Sequence, residues 1–159
     1  MICSKFNDCI QGNTACSYRN YCIRSSDKRK YIICEEYKKK YILVNDKSFN
    51  ITCIHLDNEY IIEKDKERCD FLIIFDDLNI ILVELKGSNY KHAVNQILEV
   101  IPQIQKNIKM FKAIHARIIA KPVPNVRPNN YFELFRKIHK LNGTLQDFSS
   151  KGKENISSF

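Results

Sequence analysis

The sequence predicts a single mixed α/β domain in which a β-sheet is flanked by helices. Residues 69–85 form a nearly continuous apolar run, as in strands that are buried on both faces. From Tyr90 to Ile101 the apolar residues recur instead at helical spacing. The chain has 159 residues, of which 44% are hydrophobic and 28% charged, so its length and composition suit one globular core.

The first element, residues 1–25, is a cysteine-rich lobe with little helical or strand periodicity. It contains Cys3, Cys9, Cys16 and Cys22 among polar and small residues. Four thiolates can hold a tetrahedral zinc ion and thereby fold a lobe that is too small to form a core. Their C-x5-C-x6-C-x5-C spacing is wider than that of usual zinc ligands, so the alternative is free thiols packed as small hydrophobic side chains. The odd total of seven cysteines argues against a secreted disulfide framework.

The second segment is basic and aromatic, and both a helix and a strand pair fit its pattern. We predict a helix that begins near Asp27. Residues 51–63 then predict two short strands around the turn-forming pair Asp57-Asn58. Residues 69–75 and 80–86 are rich in β-formers and complete an antiparallel meander.

The remaining elements alternate between helix and strand. A helix is expected to begin near Asn89, and Pro102 should kink or break it because proline removes an amide donor. A strand closed by proline follows, and a final helix has Asn130 near its start and Gly143 just beyond its end. The folded domain is therefore expected over residues 26–143. Residues 144–159, rich in Ser, Lys and Asn, are expected to be a flexible tail.

The segment VELKG, residues 83–87, puts charge where apolar packing would continue. Because side chains alternate along a strand, Glu84 and Lys86 share one face. A three-residue loop formed by residues 77–79 would set Asp70 across from Lys86 and diagonal to Glu84, whereas a loop of two or four residues would send Asp70 to the other face. Two carboxylates and a lysine together suit a Mg²⁺ or Mn²⁺ site for phosphodiester hydrolysis, and the even loop leaves only an ion pair.

The pattern Asp70 … Glu84-Leu85-Lys86 resembles the core signature of the PD-(D/E)xK nuclease superfamily, which has the restriction-endonuclease-like fold. The resemblance covers about residues 30–142 and includes the order hairpin, helix, strand, helix. It implies that Asp70, Glu84 and the Leu85 carbonyl bind one or two Mg²⁺ ions. It also implies that Lys86 orients the attacking water and that cleavage leaves a 5′-phosphate.

Other positions extend the resemblance less directly. Gln96 stands where the RecB-like branch carries a glutamine, which implies that it belongs to the catalytic site, but Val100 replaces the tyrosine often found one turn later. Cys69 stands in place of the motif's proline. Many members add an acidic residue from an early helix, and the position favours Glu35 or Glu36; the alternative is that both lie on a solvated face.

Charge favours a nucleic-acid partner. The 26 Lys and Arg residues against 18 Asp and Glu give a formal charge of +8. We expect a metal-dependent nuclease in restriction, genome defence or repair, with DNA favoured over RNA as substrate. Few residues outside the predicted catalytic domain remain to recognise a nucleotide sequence, so sequence-specific cleavage would need a homodimer, the N-terminal lobe or a larger complex. The alternatives are a non-catalytic nucleic-acid-binding or assembly module with this fold, and a zinc-dependent interaction protein.

No membrane partner is expected. No apolar stretch reaches the roughly 20 residues that span a bilayer, and the N-terminus lacks the layout of a signal peptide. These patterns predict a cytoplasmic protein, or a nuclear one in a eukaryote.

Overall fold

A computed structural model of the chain has three layers, and it describes residues 23–56, 67–76 and 78–159. Two helices pack on one face of a six-stranded sheet, and a three-stranded sheet packs on the other. The predicted zinc ligands Cys3, Cys9, Cys16 and Cys22 lie outside the described residues, as does the predicted turn Asp57-Asn58. The described elements are β1 (Ile23–Asp27), β2 (Tyr31–Glu36), β3 (Lys39–Val44), β4 (Ile51–His55), β5 (Phe71–Phe75), β6 (Asn79–Lys86), α1 (Tyr90–Asn107), β7 (Ala113–Ala120), α2 (Asn129–Lys140), β8 (Leu145–Ser149), β9 (Lys151–Asn155) and a 3-10 helix (Ile156–Ser158).

The six-stranded sheet has the order β1-β4-β5-β6-β7-β8. Its first four strands are antiparallel, and β6, β7 and β8 are parallel, with α1 as the connection between β6 and β7. The prediction of a mixed α/β fold is therefore confirmed. Helices were expected to flank the sheet, whereas both described helices pack on the same face and the three-stranded sheet β2-β3-β9 covers the other.

Alternation along β6 divides the core into two halves. Ile80 and Leu82 point toward the helices, while Ile81 and Val83 point toward the three-stranded sheet. A strand that is buried on both faces must be apolar throughout, which explains the long hydrophobic run that the sequence shows here. The end of β6 is the place where this pattern gives way to charge.

The predicted helix near Asp27 is wrong, because this part of the chain forms the antiparallel hairpin β2–β3. Ile32 and Cys34 are buried, whereas their neighbours Tyr31 and Ile33 are exposed. This period of two is typical of a strand with one buried face. The buried face packs against the six-stranded sheet, and such packing overrides weak local preferences.

The expectation of a flexible tail is also wrong. Residues 145–149 form β8, which pairs in parallel with β7, and residues 151–155 form β9, which pairs in parallel with β3. Phe148 and Ile156 pack into the core, so the end of the chain joins both sheets. Backbone pairing and a few apolar contacts thus order a segment whose composition alone predicts a loop.

The helices begin and end close to their predicted positions. Asn89 caps α1, since its side chain accepts a hydrogen bond from the His92 amide. Pro102 does not break α1, which continues to Asn107. Because proline has no N–H to donate to the Leu98 carbonyl, that carbonyl accepts instead from Lys137 Nζ at 3.5 Å. Neither described helix has the length and apolarity needed to cross a bilayer.

The final helix begins at Asn129, so Asn130 lies near its start, as predicted. Pro128 precedes the first turn, and the Asn130 side chain donates to Asn95 Oδ1 on α1 at 2.6 Å. Gly143 lies just beyond the end of α2, as predicted, and its amide donates to the Ile138 carbonyl at 3.0 Å. A Cβ at Gly143 would overlap the carbonyl of Ile114, so this close approach requires glycine.

Candidate active site

The β5–β6 hairpin decides which charged residues meet. Phe75 pairs with Asn79, so three residues form the loop, and of the two parities that the sequence left open the odd one is observed. The register nevertheless differs by two residues from the prediction, because the loop comprises residues 76–78. One pair beyond the Phe71–Val83 pair, Asp70 lies directly across from Glu84 rather than from Lys86. Both carboxylates therefore lie on the helix side of the sheet, at the end of neighbouring strands.

Asp70 is held by the backbone of β6. The Leu85 amide donates to Asp70 Oδ2 at 2.6 Å, and only 7% of Asp70 is exposed. The N–H and C=O of a strand residue point to the same side of the strand. The carbonyl of Leu85 therefore points toward the side on which Asp70 lies, as a shared metal site requires.

Glu84 is a buried carboxylate next to another carboxylate. It is 1% exposed, and within the described residues its Oε2 atom has no hydrogen-bond partner. Burial and then the charge of Asp70 raise the pKa of Glu84 to about 9, with a small further rise from Glu36. Lys86 and a hydrogen bond from the Asp70 backbone act in the opposite direction. The net rise in the pKa shows that Lys86 does not offset the burial of Glu84 beside a second carboxylate.

Lys86 lies at the mouth of the site, with 27% of its side chain exposed. Its Nζ is 3.9 Å from Glu84 Oε1 and 3.0 Å from Gln96 Oε1, to which it donates a hydrogen bond. Gln96 also donates through Nε2 to the carbonyl of Arg68. The four side chains singled out from the sequence, those of Asp70, Glu84, Lys86 and Gln96, therefore meet at one end of the sheet.

The two early acidic residues have different environments. Glu35 is exposed and pairs with Lys40 at 3.0 Å, so it has the solvated environment that was the alternative to a catalytic role. Cys34 and Glu36 share the face of β2 that looks toward the six-stranded sheet, and the charge of Glu36 acts on Glu84. Of the two acidic residues, Glu36 is the one whose charge acts on Glu84, although it comes from a strand and not from a helix.

Sequence reasoning missed the backbone groups that orient the site. The Leu85 amide fixes Asp70, and the Arg68 carbonyl fixes Gln96. Every residue carries these groups, so no residue type marks them. Only the hairpin register, which brings residues 68 to 70 beside the end of β6, could have indicated them.

The donor set suits a hard divalent cation. Within the described ranges, no group of three or more His, Cys, Asp and Glu side chains is arranged to hold a metal ion by itself. Asp70, Glu84 and the Leu85 carbonyl offer oxygen atoms, and Glu84 Oε2 is an unpartnered acceptor among the described residues. Mg²⁺ is commonly bound through one or two carboxylates while it keeps several waters, so these residues fit such an ion.

Neither a family model, nor a curated protein, nor a solved structure matches the chain. The likeness to the PD-(D/E)xK nucleases therefore rests on this chain's own residues. It consists of the motif Asp70, Glu84 and Lys86, the contact of Lys86 with Gln96, and the order of the surrounding elements.

Proposed function

We propose that this chain is a divalent-metal-dependent nuclease of the restriction-endonuclease-like fold, with DNA favoured as its substrate. One observation carries the proposal: two buried carboxylates, Asp70 and Glu84, face each other with Lys86 at the opening. Burying like charges together is unfavourable unless a cation or a proton neutralises them. A buried arrangement that is costly without a ligand favours a functional role over a structural one.

The order of elements supports the proposed fold. The motif lies on the antiparallel hairpin β5–β6, the helix α1 follows, and β7 then pairs in parallel with β6 before α2 begins. This is the order of hairpin, helix, strand and helix on which the resemblance rests. The excess of basic residues supports a polyanionic substrate.

Each side chain then has a distinct role. A bound Mg²⁺ or Mn²⁺ polarises the phosphate and lowers the pKa of a water molecule. Asp70, oriented by the Leu85 amide, and Glu84 supply the carboxylates that hold such an ion. Lys86 orients the attacking water, and Gln96 fixes the position of Lys86 through their 3.0 Å hydrogen bond. In-line attack of this water on the phosphorus would break the bond to O3′, which leaves as a 3′-hydroxyl, and would leave a 5′-phosphate.

A cleavage assay on plasmid, linear duplex, single-stranded DNA and RNA, with Mg²⁺ or Mn²⁺, tests the proposal. Asp70→Asn and Lys86→Met should each lower the rate by about 100-fold or more, because each removes a group that acts on the reacting phosphate or water. Asp76→Asn and Lys112→Met are matched controls, since that pair is 3.5 Å apart on the surface at the opposite end of the same hairpin. Equal cleavage by wild type, Asp70→Asn and Lys86→Met would sink the proposal, as would nucleic-acid binding without any cleavage.

A further inference from the structure

The hairpin β2–β3 ends in an exposed tyrosine. Glu36 pairs with Lys39, so Tyr37 and Lys38 form a two-residue turn. Tyr37 is 85% exposed, although a tyrosine ring has much apolar surface to bury. An aromatic ring at the tip of a hairpin is thus available to a partner.

The backbone of this turn is unfavourable for the residues that occupy it. Tyr37 and Lys38 have φ angles of 44° and 65°, in the left-handed region. Two-residue turns of this kind favour Asn-Gly, because bulky L-residues are strained at positive φ. Strain of this kind concentrates at ligand-binding and catalytic sites, so the side chains of Tyr37 and Lys38 are candidates for a function.

The turn lies at the same end of the molecule as the candidate active site. The charge of Glu36, which precedes the turn, acts on Glu84. Backbone contacts connect the two regions: Lys86 pairs with Ala120, whose carbonyl accepts from the Ser150 amide at 3.4 Å. The Ser150 carbonyl in turn accepts from the Lys40 amide on β3 at 3.1 Å.

Lysines surround this end of the molecule. Lys38 and Lys39 come from the hairpin, Lys121 follows β7, and Lys151 begins β9 beside Lys40. We call Lys38, Lys39, Lys121 and Lys151 the lysine rim. Lys40 is left out because Glu35 pairs with it. Cationic side chains beside an exposed aromatic ring are the usual means of binding single-stranded nucleic acid, in which the ring stacks on bases and the cations contact phosphates.

We propose that the β2–β3 turn binds an unpaired segment of the nucleic acid and directs it to the active site, an inference that rests on the proposed nuclease function. The Tyr37 ring stacks on an unpaired base, and the lysine rim contacts the phosphates on either side. Bases inside a duplex are already stacked, so they offer no free face to Tyr37. The preferred substrate is therefore a single-stranded segment rather than an intact duplex.

The test measures binding in EDTA, where no metal-dependent cleavage occurs. Fluorescence anisotropy compares a labelled single-stranded oligonucleotide with a closed duplex of the same sequence. Tyr37→Asn should weaken binding of the single strand roughly 5- to 100-fold and change binding of the duplex by less than about two-fold, since stacking on one base is lost. Tyr37→Phe keeps the ring and should bind as wild type.

Folding defects are separated by the choice of substitution. Asparagine tolerates the left-handed region, so Tyr37→Asn should keep or raise the melting temperature while it weakens binding. Tyr31→Asn is the matched control, because Tyr31 is 46% exposed at the other end of β2. It should leave binding of both nucleic acids unchanged.

Single-strand binding by Tyr37→Asn equal to that of wild type would overturn the inference. An equal loss for single strand and duplex would overturn it as well. The proposed function fails separately, by the absence of metal-dependent cleavage in the wild-type protein. If the wild-type protein cleaves nucleic acid but Tyr37→Asn binds the single strand normally, the proposed nuclease function stands and the role of Tyr37 is refuted.

Discussion

The two faces of the six-stranded sheet bury charge in opposite ways. On the side of the three-stranded sheet, the buried Arg117 on β7 meets Glu154 on β9, with Nη2 and Oε1 3.1 Å apart. Tyr41 donates to Glu154 Oε2 at 2.9 Å, and Arg117 Nη1 donates to the Thr144 carbonyl at 2.8 Å. Opposite charges meet there with several hydrogen bonds.

On the helix side, two carboxyl groups, those of Asp70 and Glu84, are buried together, and Glu84 Oε2 has no hydrogen-bond partner within the described part of the chain. A buried charge is tolerated when it is paired and hydrogen-bonded, as in the Arg117–Glu154 pair. The compensation at Glu84 is weaker, because Lys86 Nζ is 3.9 Å from Glu84 Oε1 and the lysine side chain is partly exposed. The first arrangement joins the end of the chain to the core, while in the second a proton on Glu84 or, in the proposed function, a bound cation relieves the repulsion.

The same substitution on the two faces should have effects of opposite sign, and the larger effect is expected at Glu154. Glu154→Gln leaves the charge of Arg117 buried without its counter-ion, which costs roughly 3–5 kcal/mol. Urea unfolding measures the change. A loss below about 1 kcal/mol would show that the pair does not hold β9 to the core.

Glu84→Gln should instead stabilise the metal-free protein. With a pKa of about 9, Glu84 must take up a proton on folding near pH 7, and an amide of nearly the same shape need not, so the free energy of unfolding in EDTA should rise by about 1–3 kcal/mol. Cleavage should be lost in the same variant, since an amide is a poor ligand for Mg²⁺. Destabilisation like that of Glu154→Gln would make Glu84 a structural residue.

The stability of the wild type should depend on pH through Glu84. Its pKa is about 9 in the folded protein and 4.5 ordinarily, so its contribution is fully present below about pH 4.5 and is lost as the pH rises toward 9. Asp70, Glu36 and Lys86 are the charged groups that act on it. In EDTA, wild type should lose stability relative to Glu84→Gln between pH 5.5 and pH 9.

Mn²⁺ should reverse this loss of stability at high pH. A bound cation stabilises the ionised carboxylate of Glu84, and it competes with the proton for that group. Melting temperatures with Mn²⁺ or EDTA at pH 5.5, 7 and 9 measure this. The increase caused by Mn²⁺ should grow with pH in wild type and be absent in Glu84→Gln. An increase of equal size at all three pH values would contradict the link between metal binding and loss of the Glu84 proton.

The smallest effect is expected at Gln96, a positioning residue that acts through Lys86. Gln96→Leu removes the oxygen to which Lys86 Nζ donates, so kcat should fall about 10-fold while KM and the melting temperature stay near those of wild type. Gln96→Glu restores an acceptor and should recover part of kcat. A change in KM alone would show that Gln96 binds substrate rather than positioning Lys86.

Much of the fold could be predicted from the sequence because periodicity marks buried elements. Strands β5, β6 and β7 and helix α1 have long apolar patterns, and each forms near its predicted position. Strands β8 and β9, with the sequences LQDFS and KGKEN, carry almost no such pattern. They form strands because they pair with β7 and β3, and the local sequence does not reveal that pairing.

The candidate site shows the same division. Alternation along β6 and an odd loop predicted that Asp70, Glu84 and Lys86 share a face. The register differs by two residues because the loop considered from the sequence, residues 77–79, lies one residue too late, and Leu78 rather than Asn79 has a positive φ, of 66°. Asn79 instead begins β6, and its side chain donates to the Asp76 carbonyl at 3.0 Å. Residue preference thus determined neither the parity nor the position of the loop, and the observed pairing supplies both.

A crystal of the wild-type protein soaked with Mn²⁺ near pH 8 tests the central claim most directly. An anomalous difference peak should lie between the carboxylates of Asp70 and Glu84, with the Leu85 carbonyl as a further ligand, and Glu84→Gln crystals should lose it. A wild-type crystal with no peak at these carboxylates would contradict the assignment of Asp70 and Glu84 as a shared metal site.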